Sequence, residues 1–126
     1  MKKSISLIAL LIMAACVSPS KVISQRPANL SSSQISAIRD AASYNLIDPT
    51  SPTFRNIRAK HFEREDGTKD ITFCGEVNAK NRMGGYVGFQ AFYGNFPEGQ
   101  SKPVIKFIDN GSEGAWGNAR MICSTF

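Results

Sequence analysis

The apolar positions after residue 31 change their period twice along the chain. Helical spacing is carried by Ile35, Ile38, Ala42 and Leu46. This spacing predicts a helix from about Ser33 to Tyr44 with one buried stripe, and the serines at positions 31 to 33 are typical N-cap residues. The pair Asp48-Pro49 then ends the helix, because a residue that precedes proline is pushed out of the α region.

From residue 54 onward the pattern becomes an alternation of apolar and polar positions, which predicts strands separated by turns. The predicted strands cover residues 55–65, 68–79, 86–93, 102–109 and 118–126. The Asp66-Gly67 pair between the first two strands is a strong hairpin signal. The strand at 86–93 is apolar on both faces, so we expect it to be central, with Phe89 buried. Together these elements predict an α+β domain in which one N-terminal helix packs on a four- or five-stranded antiparallel meander sheet.

The first sixteen residues have a different pattern. Lys2 and Lys3 precede an apolar run at residues 5–15, which ends in MAAC. A membrane span needs about 20 apolar residues, and this run is about half that length, so it indicates a secretory signal peptide at residues 1–15. The sequence then becomes rich in Ser, Pro, Asn and Gln, which predicts a flexible tether at residues 16–31 and a single domain at residues 32–126.

The MAAC segment resembles the lipobox of bacterial lipoproteins, with Met13 in place of the commonest leucine. The resemblance implies that Cys16 becomes the first mature residue and carries three acyl chains, which is more than stable anchoring requires. Val17, rather than aspartate, follows the cysteine, and in Gram-negative lipoproteins this implies sorting to the outer membrane, facing the periplasm or the surface. The alternative is cleavage by the ordinary signal peptidase near Ala14 or Ala15.

Setting Cys16 aside leaves Cys74 and Cys123, an even pair in an exported chain. We predict that they form a disulfide bond between the second strand and the last. Such a bridge closes a loop of about 50 residues and contributes roughly 4 kcal/mol. Because the chain has no CxxC motif and His61 is its only histidine, a four-ligand zinc site is not expected, and no metal or other cofactor is predicted.

Charge and motifs exclude several classes of function. Removing Lys2 and Lys3 with the signal peptide lowers the formal charge from +5 to +3, which is too small a surplus to indicate nucleic-acid binding. The glycines at 84 and 85 fit neither the P-loop spacing GxxxxGK(S/T) nor the dinucleotide-binding spacing GxGxxG. The residues after them predict a strand rather than a helix, so the glycines indicate a tight turn. His61 shares a strand face with Glu63 and Glu65, which we interpret as a solvated face rather than a catalytic one. The protein is therefore not expected to be an enzyme.

Two further segments, DPTSPTFRN at 48–56 and CGEVNAKNRMGGYVGF at 74–89, resemble an uncharacterised family of small exported proteins and lipoproteins of proteobacteria. That family combines the motifs DPxSxxFRN and CGxVNAKNxxGGYxGF. The resemblance covers roughly residues 48–92. It implies an exported domain and carries no known activity.

Loops on a rigid sheet are the expected sites of recognition. The candidate partner contacts are Lys80, Asn81, Arg82, Tyr86, Phe96 and Trp116. Trp116 is either an exposed anchor for a partner or a lid over the edge of the sheet. The sequence thus predicts a non-enzymatic, membrane-anchored module that binds another envelope protein. The alternative is an inhibitor or immunity-type protein that blocks a lysozyme, a protease or a toxin.

Metabolic labelling tests the anchor directly. Cells that produce the protein in the presence of labelled palmitate should incorporate label into the wild-type chain, and Cys16→Ala should abolish it, because the sulfur and the new amino terminus of Cys16 are the acylation sites that the lipobox implies. Equal labelling of both chains would end the lipoprotein interpretation.

Overall fold

The computed structural model describes residues 18–109 and 119–126. The elements follow the order β1 (Val22–Ala28), α1 (Ser32–Tyr44), β2 (Thr53–Arg64), β3 (Lys69–Asn78), β4 (Gln90–Phe96), β5 (Val104–Ile108) and α2 (Ala119–Cys123). The strands form one antiparallel sheet in the order β1-β2-β3-β4-β5. The α+β class and the five-stranded antiparallel meander are therefore confirmed. Neither helix in the described part of the chain is long and apolar enough to cross a membrane.

Strand β1 corrects the predicted order of elements. It lies inside the segment 16–31 that was expected to be a tether, and it pairs with β2 from Val22 opposite Arg64 to Ala28 opposite Ala59. The helix is therefore not the N-terminal element, and the ordered domain begins before residue 32. The alternation rule misses β1 because six of its seven side chains are exposed. An edge strand of this kind is held mainly by its backbone hydrogen bonds, and it tolerates Pro27.

Helix α1 begins with the expected serine cap. The Ser31 hydroxyl accepts a hydrogen bond from the backbone N–H of Gln34 at 3.2 Å, and the Gln34 side chain accepts one from the backbone N–H of Ser31 at 2.9 Å. This reciprocal pair is a capping box. Of the predicted apolar stripe, only Ile38 and Ala42 are fully buried, while Ile35 and Leu46 are half-buried. The prediction that all four residues of the stripe are buried against the sheet is thus wrong, because only two of them are.

The core on the α1 side of the sheet depends on two phenylalanine rings that each lie over a glycine. Phe73 stands directly opposite Gly94, and Phe92 stands opposite Gly75. A Cβ atom at Gly75 would lie 2.5 Å from the Phe92 ring, and one at Gly94 would lie 2.7 Å from the Phe73 ring and would overlap the Val104 carbonyl oxygen. Each glycine therefore provides the space that the ring on the neighbouring strand fills. The two rings pack edge to face, with their centroids 6.4 Å apart.

The predicted strand at 86–93 begins later than expected and is not central. Strand β4 starts at Gln90, and β3 occupies the middle of the sheet. The chain cannot extend regularly through Gly88, whose φ of +96° lies in the left-handed region. Phe89 consequently lies outside the strand and is only half-buried, while the fully buried residues of β4 are Phe92, Gly94 and Phe96.

The last element is the short helix α2 rather than the predicted strand at 118–126. The Asp109 carboxylate caps the beginning of α2. It accepts hydrogen bonds from the backbone N–H groups of Ala119 at 2.9 Å and Arg120 at 3.1 Å. The predicted disulfide bond between Cys74 and Cys123 is confirmed. Since Cys74 alternates with the core residue Phe73, this bond places α2 on the face of the sheet opposite α1.

The phenylalanine–glycine pairs make a sharp prediction about stability. Gly94→Ala should lower the free energy of unfolding by about 3 kcal/mol, because its methyl group would overlap a backbone carbonyl oxygen and a buried ring. Chemical denaturation measures the difference. Gly85→Ala is the matched control, since the nearest atom to its new Cβ is 3.8 Å away, and its effect should stay below about 0.5 kcal/mol. Equal effects at the two positions would refute this account of the packing.

Candidate functional site

Two connections lie side by side at one end of the sheet. One is the α1–β2 connection with the last residue of α1, residues 44–52, and the other is the β3–β4 connection, residues 79–89. Their link is Tyr86, whose hydroxyl donates a hydrogen bond to the Ser51 carbonyl oxygen at 2.9 Å. We call this surface the hairpin end.

The β3–β4 connection is organised by Asn81. Its side-chain oxygen accepts hydrogen bonds from the backbone N–H groups of Met83 at 2.9 Å and Gly85 at 3.1 Å. The backbone N–H of Asn81 donates a hydrogen bond to the Gly85 carbonyl oxygen at 2.8 Å. Gly84 has a φ of +81°, a value that glycine adopts without steric cost. The expected tight turn is confirmed, and the polar group of Asn81 is engaged in forming it.

Asp48 organises the α1–β2 connection in a similar way. One carboxylate oxygen accepts hydrogen bonds from the Thr50 N–H and hydroxyl groups, and the other accepts one from the Ser51 hydroxyl at 3.0 Å. These bonds, those from Thr50 first, hold the pKa of Asp48 below its ordinary value. The carboxylate thus stabilises the turn that presents the Ser51 carbonyl oxygen to Tyr86.

A second link joins β2 to β3 just beside the hairpin end. Arg55 donates two hydrogen bonds to the Glu76 carboxylate, each 3.1 Å long, and the Asn56 amide donates a third at 2.6 Å. Asn56 has a φ of +54° and lies where the register of β2 shifts between Arg55 and Arg58. Asparagine suits this position because it tolerates the left-handed region better than other side chains that carry a Cβ. The Arg55 guanidinium also stacks on Phe89, 3.7 Å from the ring centroid.

The predicted contact residues lie in different environments. Arg82 is exposed at the turn, and Tyr86 is exposed with its ring 5.5 Å from the Lys80 ammonium group. Phe96 is a correction, because it is only 4% exposed and belongs to the core. An aromatic residue beside a turn was interpreted as a surface anchor, but it is the last residue of β4 and points inward. Trp116 and Cys16 lie outside the described residues.

Sequence reasoning missed the apolar residues of the hairpin end. Met83 is 94% exposed, Tyr44 is 88% exposed and Ile47 is 67% exposed, and Val87 is exposed as well. The signal available in the sequence was weak: Tyr44 and Ile47 fall outside the apolar stripe of the helix, and Met83 stands between Arg82 and a glycine pair. A groove of about 460 Å³ separates the two connections, with Leu46, Ile47, Ala79, Val87 and Ile108 among the residues that line it.

A second groove of about 460 Å³ lies at the opposite end of the sheet. Its lining includes Arg26, Gln34, His61, Glu63, Lys69 and Glu98. His61 and Glu63 both line this groove, and Glu63 forms an ion pair with the Lys69 ammonium group at 3.6 Å. Glu65 lies beyond the end of β2. Among residues 18–109 and 119–126 there is no cluster of three or more His, Cys, Asp or Glu side chains arranged to hold a metal ion.

No family model, no curated protein and no solved structure matches this chain. The geometry of the hairpin end is therefore the basis for inferring what the domain does. That geometry combines two connections joined by the Tyr86–Ser51 hydrogen bond, exposed apolar side chains and two basic residues.

The Glu76 cluster predicts a pH dependence of stability. Hydrogen bonds from Arg55, and then from Asn56, hold the pKa of Glu76 below its ordinary value of 4.5. A carboxyl group with a lowered folded-state pKa stabilises the fold above that ordinary value, and the contribution is lost as the pH falls through the lowered pKa. Glu76→Gln should therefore cost about 1 kcal/mol at neutral pH and flatten the loss of stability in acid.

Denaturant titrations at neutral pH and at a series of acidic pH values measure both effects. Glu65→Gln is the matched control, because it removes the same charge from an exposed side chain outside the cluster. An acid-induced loss of stability that is the same in Glu76→Gln and in the wild type would contradict this role of Glu76.

Proposed function

We propose that the protein is a lipid-anchored, non-enzymatic module of the bacterial cell envelope that binds another envelope protein through the hairpin end. The observation that carries the proposal is the exposure of Tyr44, Ile47 and Met83 on two connections that touch each other. Single apolar residues on a surface are ordinary, whereas a group of them on adjacent segments is typical of an interaction site.

The composition of the hairpin end suits a protein partner. Tyrosine, methionine and arginine are enriched in protein interfaces, and lysine is depleted in their centres. Tyr44, Tyr86 and Met83 supply apolar contact area, and Arg82 precedes Met83 in the turn. Because Lys80 and Arg82 make this surface basic, we expect the matching surface of the partner to carry acidic residues around an apolar centre.

The hairpin end is also held in one conformation before any partner arrives. Asn81 fixes the turn around Met83, and Tyr86 ties this turn to Ser51. A surface whose backbone is already ordered loses less conformational entropy on binding than a mobile loop. The polar side chains of the two sequence motifs therefore support recognition indirectly, by holding the apolar residues in place.

Location in the envelope is supported by the sequence and by the disulfide bond. The MAAC segment resembles a lipobox, which implies a lipid anchor at Cys16 in the outer membrane. The Cys74–Cys123 bond is typical of proteins that fold in an oxidising compartment such as the periplasm. The resemblance of residues 48–92 to an exported proteobacterial family agrees with the same location.

One observation favours the inhibitor as a second candidate function. Met83 stands at the tip of a tight turn that is braced by the Asn81 hydrogen bonds and is almost completely exposed. A rigid, protruding loop of this kind fits the active-site cleft of a hydrolase as well as it fits a groove on a structural partner. The identity of the bound protein separates the two functions.

Site-specific photo-crosslinking in intact cells tests the proposal. A photoreactive residue at position 47 should form a covalent adduct with one envelope protein, whereas the same residue at the exposed position 102 should not. Adding Met83→Asp should weaken the purified complex by about tenfold or more, because it places a charge in the apolar centre, and should leave the free energy of unfolding nearly unchanged.

The outcomes are distinct. A resident structural protein as the adduct supports the envelope module, and a lysozyme, protease or toxin supports the inhibitor. Equal labelling from positions 47 and 102, or no labelling from position 47, would refute binding through the hairpin end.

A further inference from the structure

The chain joins the folded domain within four residues of Cys16. The backbone N–H of Asp66 donates a hydrogen bond to the Ser20 hydroxyl at 3.2 Å, and that of Glu65 donates to the Lys21 carbonyl oxygen at 3.0 Å. Pairing with β2 starts at the next residue, Val22. The N-terminal segment is thus attached to the β2–β3 turn from Ser20 onward.

This attachment limits how far the domain can move from its anchor. Four Cα–Cα steps separate Cys16 from Ser20, and a fully extended chain spans at most about 14 Å over that number of residues. A tether that ran to residue 31, as the sequence predicted, would allow several times that distance. A lipid chain on Cys16 would therefore keep Ser20 close to the headgroups of the membrane.

The sheet has two ends, and the link attaches to only one of them. The attached end comprises residues 20–23, the β2–β3 turn at residues 64–69 and the β4–β5 connection at residues 97–103, and we call it the turn end. The last two segments are neighbours, because the N–H of Lys69 donates to the Glu98 carboxylate at 3.4 Å. Strand β3 runs from the turn end to the hairpin end over ten residues, which corresponds to about 30 Å.

We propose that the turn end rests on the phospholipid headgroups and that the hairpin end points away from the membrane. The inference rests on the proposed anchor at Cys16. Its occupant is the lipid surface itself, since the short link leaves no room for another protein between the turn end and the bilayer. The hairpin end is then presented to partners about 30 Å farther from the membrane.

The side chains of the turn end fit a zwitterionic lipid surface. Its basic residues Lys21, Lys69 and Lys102 are balanced by Glu65, Asp66 and Glu98. The fourth basic residue, Arg64, forms an ion pair with Asp70 at 3.1 Å, so the contact needs no anionic lipid. Beside the link, Val22 is 40% exposed and Ile23 is 59% exposed. Apolar side chains at this place enter the boundary between headgroups and acyl chains, where burial is favourable.

Fluorescence quenching on vesicles tests the orientation. Full-length lipidated protein carrying Arg82→Cys or Lys102→Cys would be labelled with a fluorophore and placed in phosphatidylcholine vesicles that contain a headgroup-attached quencher. Both changes remove one exposed basic side chain, so the two proteins are matched. We expect the label at position 102 to be quenched at least about threefold more than the label at position 82, because the labels lie about 30 Å apart along the strands.

A longer link is the internal control. Inserting twelve Gly and Ser residues between Ser18 and Pro19 gives a flexible reach of about 20 Å, and should reduce the difference between the two labels. Replacing part of the phosphatidylcholine by an anionic lipid should leave that difference unchanged. A quenching difference that requires anionic lipid would overturn the inference.

The remaining outcomes separate the orientation from the anchor. Mass spectrometry of the same preparation establishes whether Cys16 carries lipid. A lipidated protein whose two labels are quenched equally refutes the orientation and leaves the proposed anchor standing. A protein that carries no lipid at Cys16 refutes the anchor and the orientation together.

Discussion

The two phenylalanine rings that lie over glycines fix how β3 and β4 pair, and the rest of the structure depends on that register. Phe73 over Gly94 and Phe92 over Gly75 leave no space for a Cβ atom on the opposite strand. Because side chains alternate between faces, a slip of one residue between β3 and β4 would put the two rings on opposite faces of the sheet. Along β3, Cys74 and Glu76 alternate with the core residues and lie on the opposite face, where Cys74 bonds to Cys123 of α2 and Glu76 pairs with Arg55 of β2. The packing of β3 in the core therefore also sets the face that carries the disulfide bond and the polar cluster near the hairpin end.

The sequence predicted those parts of the fold whose signals are local. The serine cap and the period of α1, the hairpin at Asp66-Gly67 and the disulfide bond depend on a few neighbouring residues or on counting cysteines. Strand β1 could not be predicted in this way, because its pairing partners lie 31 to 42 residues away and its exposed side chains show no alternation. The helix α2 is likewise held by distant groups, the Asp109 carboxylate and Cys74.

The candidate site shows a related limit. Arg82 and Tyr86 are predicted contacts because charged and aromatic residues near a turn suggest contact with a partner, and both side chains are exposed. Phe96 was placed on the surface by the same reasoning, and Met83 and Ile47 were overlooked, because a sequence does not show whether an apolar residue faces the core or the solvent. Motif polar residues such as Asp48, Glu76 and Asn81, which have the chemistry expected of an active site, instead form the internal hydrogen bonds of the turns.

The hydrogen bond between Asp109 and Ala119 affects how readily the length of the chain between them can change. The Asp109 carboxylate accepts a hydrogen bond from the N–H of Ala119 at 2.9 Å, so the two residues that flank positions 110–118 lie close together. The entropy of closing a loop depends only weakly on its length, and the disulfide bond at Cys123 fixes the chain again just beyond. A change in the number of residues between Asp109 and Ala119 therefore changes the entropy of closing that part of the chain only slightly.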